Sequence, residues 1–261
     1  MASFTGKGQQ DYYKDILHTS NSNTGIANTL KQITCGDGDT TAFHLSARNV
    51  KVQPNADTTT KTVIYDKDWN ALLTVDSTND LVKAGIGQHT ANTQYAYFGV
   101  ANDTSTYATG THYALPFQTV GYISGISAMG TGTNPDSSLT ISSTANSVVG
   151  TYWYVMDNIT IDRVVWFSGA DNATGDTTRV HLMSYSVDTG NSSTGGDLSS
   201  GAVLADGGDI TNAGNEQIYY QQLSIGTANV DAGKIILFTF RLDAVAGTDY
   251  TINATVKYHL R

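Results

Sequence analysis

The stretch 249–259, DYTINATVKYH, decides the fold, because apolar residues from Tyr250 to Tyr258 alternate with polar ones. A period of two is typical of a β-strand with one buried and one exposed face. The segment before it, KIILFTFRL at 234–242, is apolar on both faces. A strand of that kind is covered on both sides, so it lies either at the centre of a sandwich or at a subunit interface.

The composition favours strands throughout the chain. Only 14% of the 261 residues are charged, against about a quarter in an average globular protein. All but one of the 23 acidic residues are Asp, and Gly (26) and Tyr (15) are abundant. Asp and Gly favour turns, Tyr favours strands, and the helix formers Glu, Lys and Arg are scarce. The composition therefore excludes a helical bundle, argues against a parallel α/β fold and predicts an all-β protein.

Residues 93–261 carry the apolar segments from which a core can be built. Turn-forming stretches such as 170–176 and 205–215 separate the candidate strands. Their spacing fits about eight strands of an antiparallel sandwich. We therefore predict a C-terminal β-sandwich head at 93–261, with a jelly-roll-like arrangement.

Residues 41–92 are predicted to form a short shaft or β-meander. The segment VIYDKDWNALLTVDSTNDLV at 63–82 contains short strands separated by two tight turns, at 66–70 and 76–80. Strands this short barely bury a core in one chain, and threefold association would supply the missing surface. We therefore predict a homotrimer. The apolar residues predicted at its interface are Leu73 and Val75 in this segment and Ile235 and Leu237 in the strand with two apolar faces.

Residues 1–40 lack the alternation of a strand. Their apolar spacing instead predicts two short helices, the second at 26–33. So few apolar residues cannot build a core, and two interpretations stay open: a partly disordered terminus, or an N-terminal docking arm that orders on a partner. The anchors of such an arm would be Tyr12, Tyr13, Ile16 and Leu17.

Charge and hydropathy argue against several classes of partner. The net charge is -9 and no run of basic residues occurs, which argues against nucleic-acid binding. No stretch approaches the roughly 20 apolar residues of a membrane-spanning helix, so we predict no membrane insertion. The first residues lack the apolar centre of a secretion signal, and the single cysteine, Cys35, has no partner for a disulfide within the chain.

The sequence offers little that predicts catalysis or metal binding. The six histidines do not have the spacing of a metal site, and no nucleotide-binding or hydrolase motif occurs. Glycoside cleavage needs a pair of carboxylates, but most aspartates lie in turn sequences such as DGD and DKD. The strongest cation candidate is calcium at Asp171 and Asp176, for which a plain β-turn is the favoured alternative. We therefore predict no enzymatic activity and no cofactor.

The segment at 63–82 resembles the β-prism or shaft motif of bacteriophage fibres, which are parallel homotrimers whose short strands wrap a common axis. The wider sequence is similar to virion structural proteins of marine tailed bacteriophages, in the stretches MASFTGKGQQDYYKDILHTSNSNTG at 1–25, QYAYFGV at 94–100 and DYTINATVKYHLR at 249–261. This resemblance implies a fibre-like or capsid-decorating component of the virion, with a trimeric β-prism-like shaft before the head.

We therefore expect a non-enzymatic virion structural protein that is made in the host cytoplasm. As a homotrimeric, fibre-like appendage, it would bind other virion proteins through the N-terminal arm and contact a glycan or protein of the host surface through the head. The main alternative is a capsid decoration, or cement, protein. A polysaccharide-degrading spike is the third class.

Host contact is expected in the polar loops of the head, because recognition sites concentrate in loops on a rigid scaffold. The two longest polar connections are 189–200 and 207–215. The residues predicted to contact a receptor are Thr189, Asn191, Asp197 and Asp209.

Aromatic residues cluster in the predicted strands at 95–98, 152–154 and 219–220. Consecutive residues of a strand point to opposite faces, so some of these rings must lie outward. Tyr and Trp bury a large area and keep a polar tip, which suits an interface. We expect the outward rings to contact neighbouring subunits in preference to glycans.

Overall fold

The computed structural model describes residues 17–19, 25–103, 107–118, 127–141, 148–171, 174–190, 193–214, 217–243 and 249–261. The chain divides into two compact units, residues 1–91 and 92–261. Apart from a 3-10 turn at Val149–Thr151, the regular structure of the described residues is antiparallel β-sheet, which confirms the predicted all-β class. None of these residues belongs to a helix that is long and apolar enough to cross a membrane.

The N-terminal unit contains two four-stranded meanders. The strands of the first are β1 (His18–Thr19), β2 (Lys31–Thr34), β3 (Thr40–Leu45) and β4 (Val50–Val52). The strands of the second are β5 (Thr62–Tyr65), β6 (Ala71–Asp76), β7 (Leu81–Ala84) and β8 (His89–Thr90). In both meanders each strand pairs with the next one along the chain.

The first meander shows that the helix predicted at 26–33 is wrong. Residues 31–34 are strand β2, which pairs with β3. Between these strands the Cys35 N–H donates to the Asp39 carbonyl at 2.9 Å, and Gly38 has a φ of 89°. Glycine adopts this backbone conformation without steric cost, so the chain can reverse here and form a hairpin. Apolar spacing carries no information about that turn.

The predicted docking arm, residues 1–40, has no structural boundary at residue 40, because β2 pairs with β3 across it. Among the predicted anchors, Tyr12, Tyr13 and Ile16 lie outside the described residues. Leu17 is exposed, with 65% of its surface accessible. The docking role of this segment stays a prediction.

Strands β5, β6 and β7 of the second meander and the two tight turns between them match the prediction from the sequence. An aspartate organises each of these turns. Asp66 accepts hydrogen bonds from the Asn70 side chain at 2.9 Å and from the Asn70 N–H at 2.8 Å, and these bonds lower the pKa of Asp66. Asp76 is buried and accepts bonds from Asn79 in the same way. Both aspartates are therefore structural residues of the turns.

The C-terminal unit, which we call the head, is a sandwich of two sheets. Sheet A contains β9 (Thr93–Asp103), β12 (Ile159–Asp171), β15 (Gln217–Gln222) and β19 (Asp249–Leu260). Sheet B contains β10 (His112–Ala114), β13 (Thr177–Val187), β14 (Leu198–Thr211) and β18 (Lys234–Leu242). Three two-residue strands extend the sheets: β11 (Trp153–Tyr154), β16 (Ser224–Ile225) and β17 (Asn229–Val230).

The strand order of the head is that of a jelly roll. Sheet A has the order β15-β12-β19-β9, and sheet B has the order β10-β18-β13-β14. The first and last main strands, β9 and β19, are therefore neighbours in sheet A. The second and the second-last, β10 and β18, are neighbours in sheet B. Two interlocked Greek keys produce this arrangement, so the predicted jelly-roll-like sandwich is confirmed.

Strand β19 has the alternation that the sequence predicted. Tyr250, Ile252 and Val256 are buried in the core of the head. Trp166 of the neighbouring strand β12 is also fully buried, and its indole N–H donates to Gln221 Oε1 at 3.0 Å. This tryptophan therefore buries its ring in the core and still satisfies its polar atom.

A segment of residues 127–141, which we call the strap, runs along the outer face of sheet B. The Met129 N–H donates to the His112 carbonyl at 2.7 Å, and the Tyr185 hydroxyl donates to the Asp136 carbonyl at 2.9 Å. Further along, Leu139 and Leu198 form an isolated β-bridge. The strap supplies the second cover that the strand with two apolar faces needs.

The strap corrects the predicted role of Ile235 and Leu237 at a trimer interface. These side chains are 2% and 0% exposed within a single chain. Ile235 lies opposite Tyr185 in the sheet, on the face that the strap covers. A neighbouring subunit therefore cannot contact them, and the sandwich-centre alternative is the correct one.

Two histidines are buried beneath the strap. The rings of His112 and His181 are 5.1 Å apart, and both side chains are fully buried. His112 Nε2 is 3.0 Å from the Gly132 carbonyl, whereas neither ring nitrogen of His181 has a hydrogen-bond partner among the described residues. Burial lowers the pKa of His181 to about 4, although Asp206 lies close by and opposes the shift.

This burial predicts a loss of stability in mild acid. A histidine whose pKa is lower in the folded state stabilises the fold fully above its unfolded pKa of 6.5, and this stabilisation falls as the pH drops from 6.5 to about 4. We expect His181→Gln to remove about 3 kcal/mol of this pH dependence, measured by urea unfolding between pH 7 and 4. His89→Gln, at an exposed position, should keep the wild-type slope, and an unchanged slope in His181→Gln would contradict the prediction.

The head contains the whole set of buried apolar residues in the described part of the chain. We therefore expect a fragment of residues 92–261 to fold alone. Its near-ultraviolet circular dichroism should indicate fixed aromatic packing, and its thermal midpoint should lie within a few degrees of the head transition in the full chain. A fragment that binds hydrophobic dyes and unfolds without cooperativity would contradict this expectation.

Candidate functional site

The outer face of sheet A, on the side away from the core, brings aromatic and cationic side chains together. The strand register places Arg163 of β12 opposite Lys257 of β19, and Lys257 opposite Tyr95 of β9. Phe167 lies opposite Tyr220 of β15. Directly opposed residues of antiparallel strands point to the same side, so residues that are far apart in the sequence form one surface.

An open cavity of about 480 Å³ lies on this face, and we call it the aromatic groove. All four strands of sheet A contribute to its lining, which consists of Tyr95, Asp162, Arg163, Val165, Phe167, Tyr220, Thr255 and Lys257. The groove is a surface of rigid strands, so its side chains are held by the sheet and not by mobile connections.

A β-bulge in β12 determines which charges reach the groove. The register with β19 shifts between Ile161 and Arg163, and the strand therefore exposes Asp162 and Arg163 in succession. Asp162 Oδ1 is 2.8 Å from His259 Nδ1, so a neighbour within the sheet engages this carboxylate. Arg163 contributes a cation to the lining without a carboxylate partner among the described residues.

Three exposed aromatic rings line the groove. Tyr95, Phe167 and Tyr220 are 54%, 45% and 51% exposed, and the ring centroids of Phe167 and Tyr220 are 5.1 Å apart. Tyr97, next to the groove on β9, is 48% exposed. Large exposed apolar groups that cluster on one face indicate a surface that contacts a partner or ligand.

The sequence predicted outward aromatic residues but did not place them together. Tyr95 and Tyr220 point to the outer face of sheet A. Both belong to the aromatic clusters in which the sequence predicted some outward rings. Phe167 was missed, because VVWFS at 164–168 is apolar on both faces and resembles a fully buried strand. The signal that could have found it is the alternation of Trp166 and Phe167, which must point to opposite faces.

Part of the region predicted to form receptor-contact loops is strand in the structure. Asp209 lies within strand β14, not in a loop, and is 3.5 Å from the Arg179 guanidinium. Gly208 has a φ of 70° and allows the strand to continue through an irregularity where a turn was expected. The sequence DGGD therefore predicted a turn where the strand is bulged.

The other three residues predicted to contact a receptor are Thr189, Asn191 and Asp197, and each has a different environment or lies outside the described residues. Asp197 accepts a hydrogen bond from the Ile141 N–H at 2.7 Å and so holds the end of the strap. Thr189 is exposed. Asn191 lies outside the described residues. Receptor contact by the loops stays a prediction.

Of the two aspartates in the predicted calcium site, Asp176 has a structural role in the core of the head. Asp176 is fully buried, and it accepts hydrogen bonds from the Tyr250 hydroxyl at 2.5 Å and the Thr177 N–H at 2.8 Å. Burial and this carboxylate raise the pKa of Tyr250. The Asp171 side chain is not among the described ones. No group of three His, Cys, Asp or Glu in the described residues could hold a metal ion.

The second meander of the N-terminal unit has an uncovered apolar face, which we call the stem face. The register aligns its side chains in rows across β5, β6 and β7. Thr62 lies opposite Val75 on this face, and the apolar members are Ile64, Leu73, Val75, Val82 and Ala84. Ile64 and Val82 are 52% and 41% exposed. Leu73 and Val75, the predicted interface residues, lie at the centre of this face and are partly exposed.

The opposite face of the same meander mixes polar and apolar side chains, since Val63 and Leu81 lie opposite Thr74 and Asp76. Thr74 and Asp76 are buried there, and the Lys83 ammonium group is 3.3 Å from Asp76. Within the described part of residues 1–91, no apolar side chain is buried. The N-terminal unit therefore has ordered strands and no apolar core of its own.

No protein-family model matches this chain, and the search of curated proteins found no significant relative. The function is therefore argued from the two surfaces described above.

Proposed function

We propose that this chain is a non-enzymatic structural protein of a bacteriophage virion, a homotrimeric, fibre-like appendage whose head contacts the host surface. The observation that carries the proposal is the contrast between its two units. The head buries a full apolar core, whereas the described part of residues 1–91 buries no apolar side chain and exposes the stem face. A unit of this kind needs surface from other chains to be stable.

A second copy of the chain is the occupant that best fits the stem face. The face is apolar and carries no charged side chain, so identical faces can meet without repulsion between charges. The resemblance of 63–82 to fibre shafts favours three copies around one axis, with Leu73 and Val75 next to it. Cyclic symmetry makes the contacts of the three copies equivalent and closes the assembly.

The roles of the aspartates support a function without catalysis. Asp66 and Asp76 hold turns, Asp176 lies in the core, and Asp206 pairs with Arg179 at 2.5 Å. A glycosidase needs two carboxylates on either side of a sugar. The aromatic groove is lined by one, Asp162, and this residue contacts His259.

Capsid decoration is the second candidate function. It is favoured by the exposed aromatic rings of sheet A, because a cement protein also needs an apolar face that packs against capsid subunits. In that function the aromatic groove would be buried on the particle and inaccessible to added ligands.

The assembly is tested by a charge on the stem face. We expect light scattering of the intact chain to give three times the chain mass of 27.8 kDa. Leu73→Asp should give one chain mass at micromolar concentration, because a charge buried without a partner costs a few kcal/mol per chain. Leu72→Asp places the same charge on the opposite, 41% exposed position and should stay trimeric. A wild-type protein whose mass by light scattering equals that of one chain would contradict the trimer proposal.

The virion role is tested by the predicted anchors. A chain that lacks residues 1–16 should remain folded and trimeric, because the strands of the described residues begin at His18. The same chain should be missing from purified particles when it replaces the wild type in an infection, as measured by immunoblotting against a capsid protein. Normal copy number of the truncated chain would exclude the docking role.

A further inference from the structure

We infer that the aromatic groove binds an acidic polysaccharide, a sugar chain that bears carboxylates. Arg163 and Lys257 would pair with the carboxylates, and Tyr95, Phe167 and Tyr220 would stack on the sugar rings. This inference gives a ligand class to the host contact in the proposed function and rests on it for its biological setting. The binding itself is a property of the head.

The charge of the groove indicates an anionic ligand. Arg163 and Lys257 lie directly opposite each other on neighbouring strands, and like charges in that position destabilise a sheet. Neither has a carboxylate partner among the described residues, and the Arg163 guanidinium instead donates to the Tyr220 hydroxyl at 3.1 Å. In a chain of net charge -9, a carboxylate from a ligand would relieve this repulsion and form a charge-assisted hydrogen bond.

The rings indicate that the anion is carried by a partly apolar molecule. A simple anion site needs donors alone, whereas here three half-exposed rings line the same cavity as the two cations. Phe167 has no polar atom, so its exposure is unfavourable unless a ligand covers it. Sugar rings offer apolar C–H faces and polar edges, which match rings placed beside Thr255, Arg163 and Lys257.

The position of the groove suits a chain better than a single sugar. It is open and lies across all four strands of sheet A. Next to the row of Arg163, Lys257 and Tyr95 is a second row, in which Thr255 lies between Val165 and Tyr97. A ligand can therefore enter and leave along the sheet surface. Each groove buries little of such a polymer, and binding by several heads of one assembly would raise the avidity.

A second copy of the chain fits this groove poorly. In a two-fold contact whose axis passes through the Arg163–Lys257 pair, this pair would face the same pair of the other copy. That arrangement concentrates four positive charges without a carboxylate to compensate them, since Asp162 already contacts His259.

The test uses polygalacturonate as the probe and the same polymer with its carboxyl groups reduced to alcohols as the control. Affinity electrophoresis and calorimetry of the intact protein should detect binding to polygalacturonate that weakens with salt. Binding to the reduced polymer should be at least about tenfold weaker. Absence of binding to polygalacturonate, or equal binding to both polymers, would overturn the inference.

Matched variants locate the site. The double variant Arg163→Gln/Lys257→Gln and the single variant Phe167→Ala should each lose about tenfold or more in affinity. Arg48→Gln/Lys51→Gln removes the same two charge types from exposed positions of the N-terminal unit and should bind normally. Tyr154→Ala removes a ring that is 48% exposed elsewhere on the head and should also bind normally. Unchanged binding in both groove variants would overturn the assignment.

The outcomes separate this inference from the proposed function. A trimer that is present on particles but does not bind the polymer would overturn the inference alone. A protein that binds the polymer through the groove, but is monomeric and missing from particles, would overturn the proposed function alone.

Discussion

The pairing of β12 with β19 is the constraint on which the head depends. The two strands are the central pair of sheet A and are hydrogen-bonded from Ile159 with Leu260 to Asp171 with Asp249. Their register turns Trp166 and Ile252 into the core. The same register turns Arg163, Phe167 and Lys257 outward. Because side chains alternate along a strand, one set of backbone bonds determines both the core and the aromatic groove.

The strap completes the head on its other side. Strand β18 is apolar on both faces, and a sandwich of two sheets covers only one of them. The strap covers the second face and buries His112 and His181 in the process. Both faces of β18 are thereby covered within one chain, and burial lowers the pKa values of the two imidazoles beneath the strap.

The N-terminal unit differs from the head, because its turns are well defined but it has no apolar core among the described residues. Its turns are well determined by hydrogen bonds to Asp66 and Asp76, whereas its stem face has no cover within the described part of the unit. Local interactions thus define the strands and leave Leu73 and Val75 partly exposed within the chain. This division explains why the proposed trimer contact involves the unit without a core and not the sandwich.

The sequence by itself determined the all-β class, the alternation of β19 and the turns of the second meander, because these features depend on residues close together in the chain. It could not determine which surface covers Ile235 and Leu237, since the strap is about a hundred residues away in the sequence. It also misassigned 26–33, because residues 31–34 pair with β3 as a strand. It misassigned Asp209 as well, because a positive φ angle at Gly208 lets the strand continue. Only the tertiary structure could assemble the aromatic groove, because the pairing of distant strands, and not local pattern, brings Tyr95, Phe167, Tyr220 and Lys257 to one face.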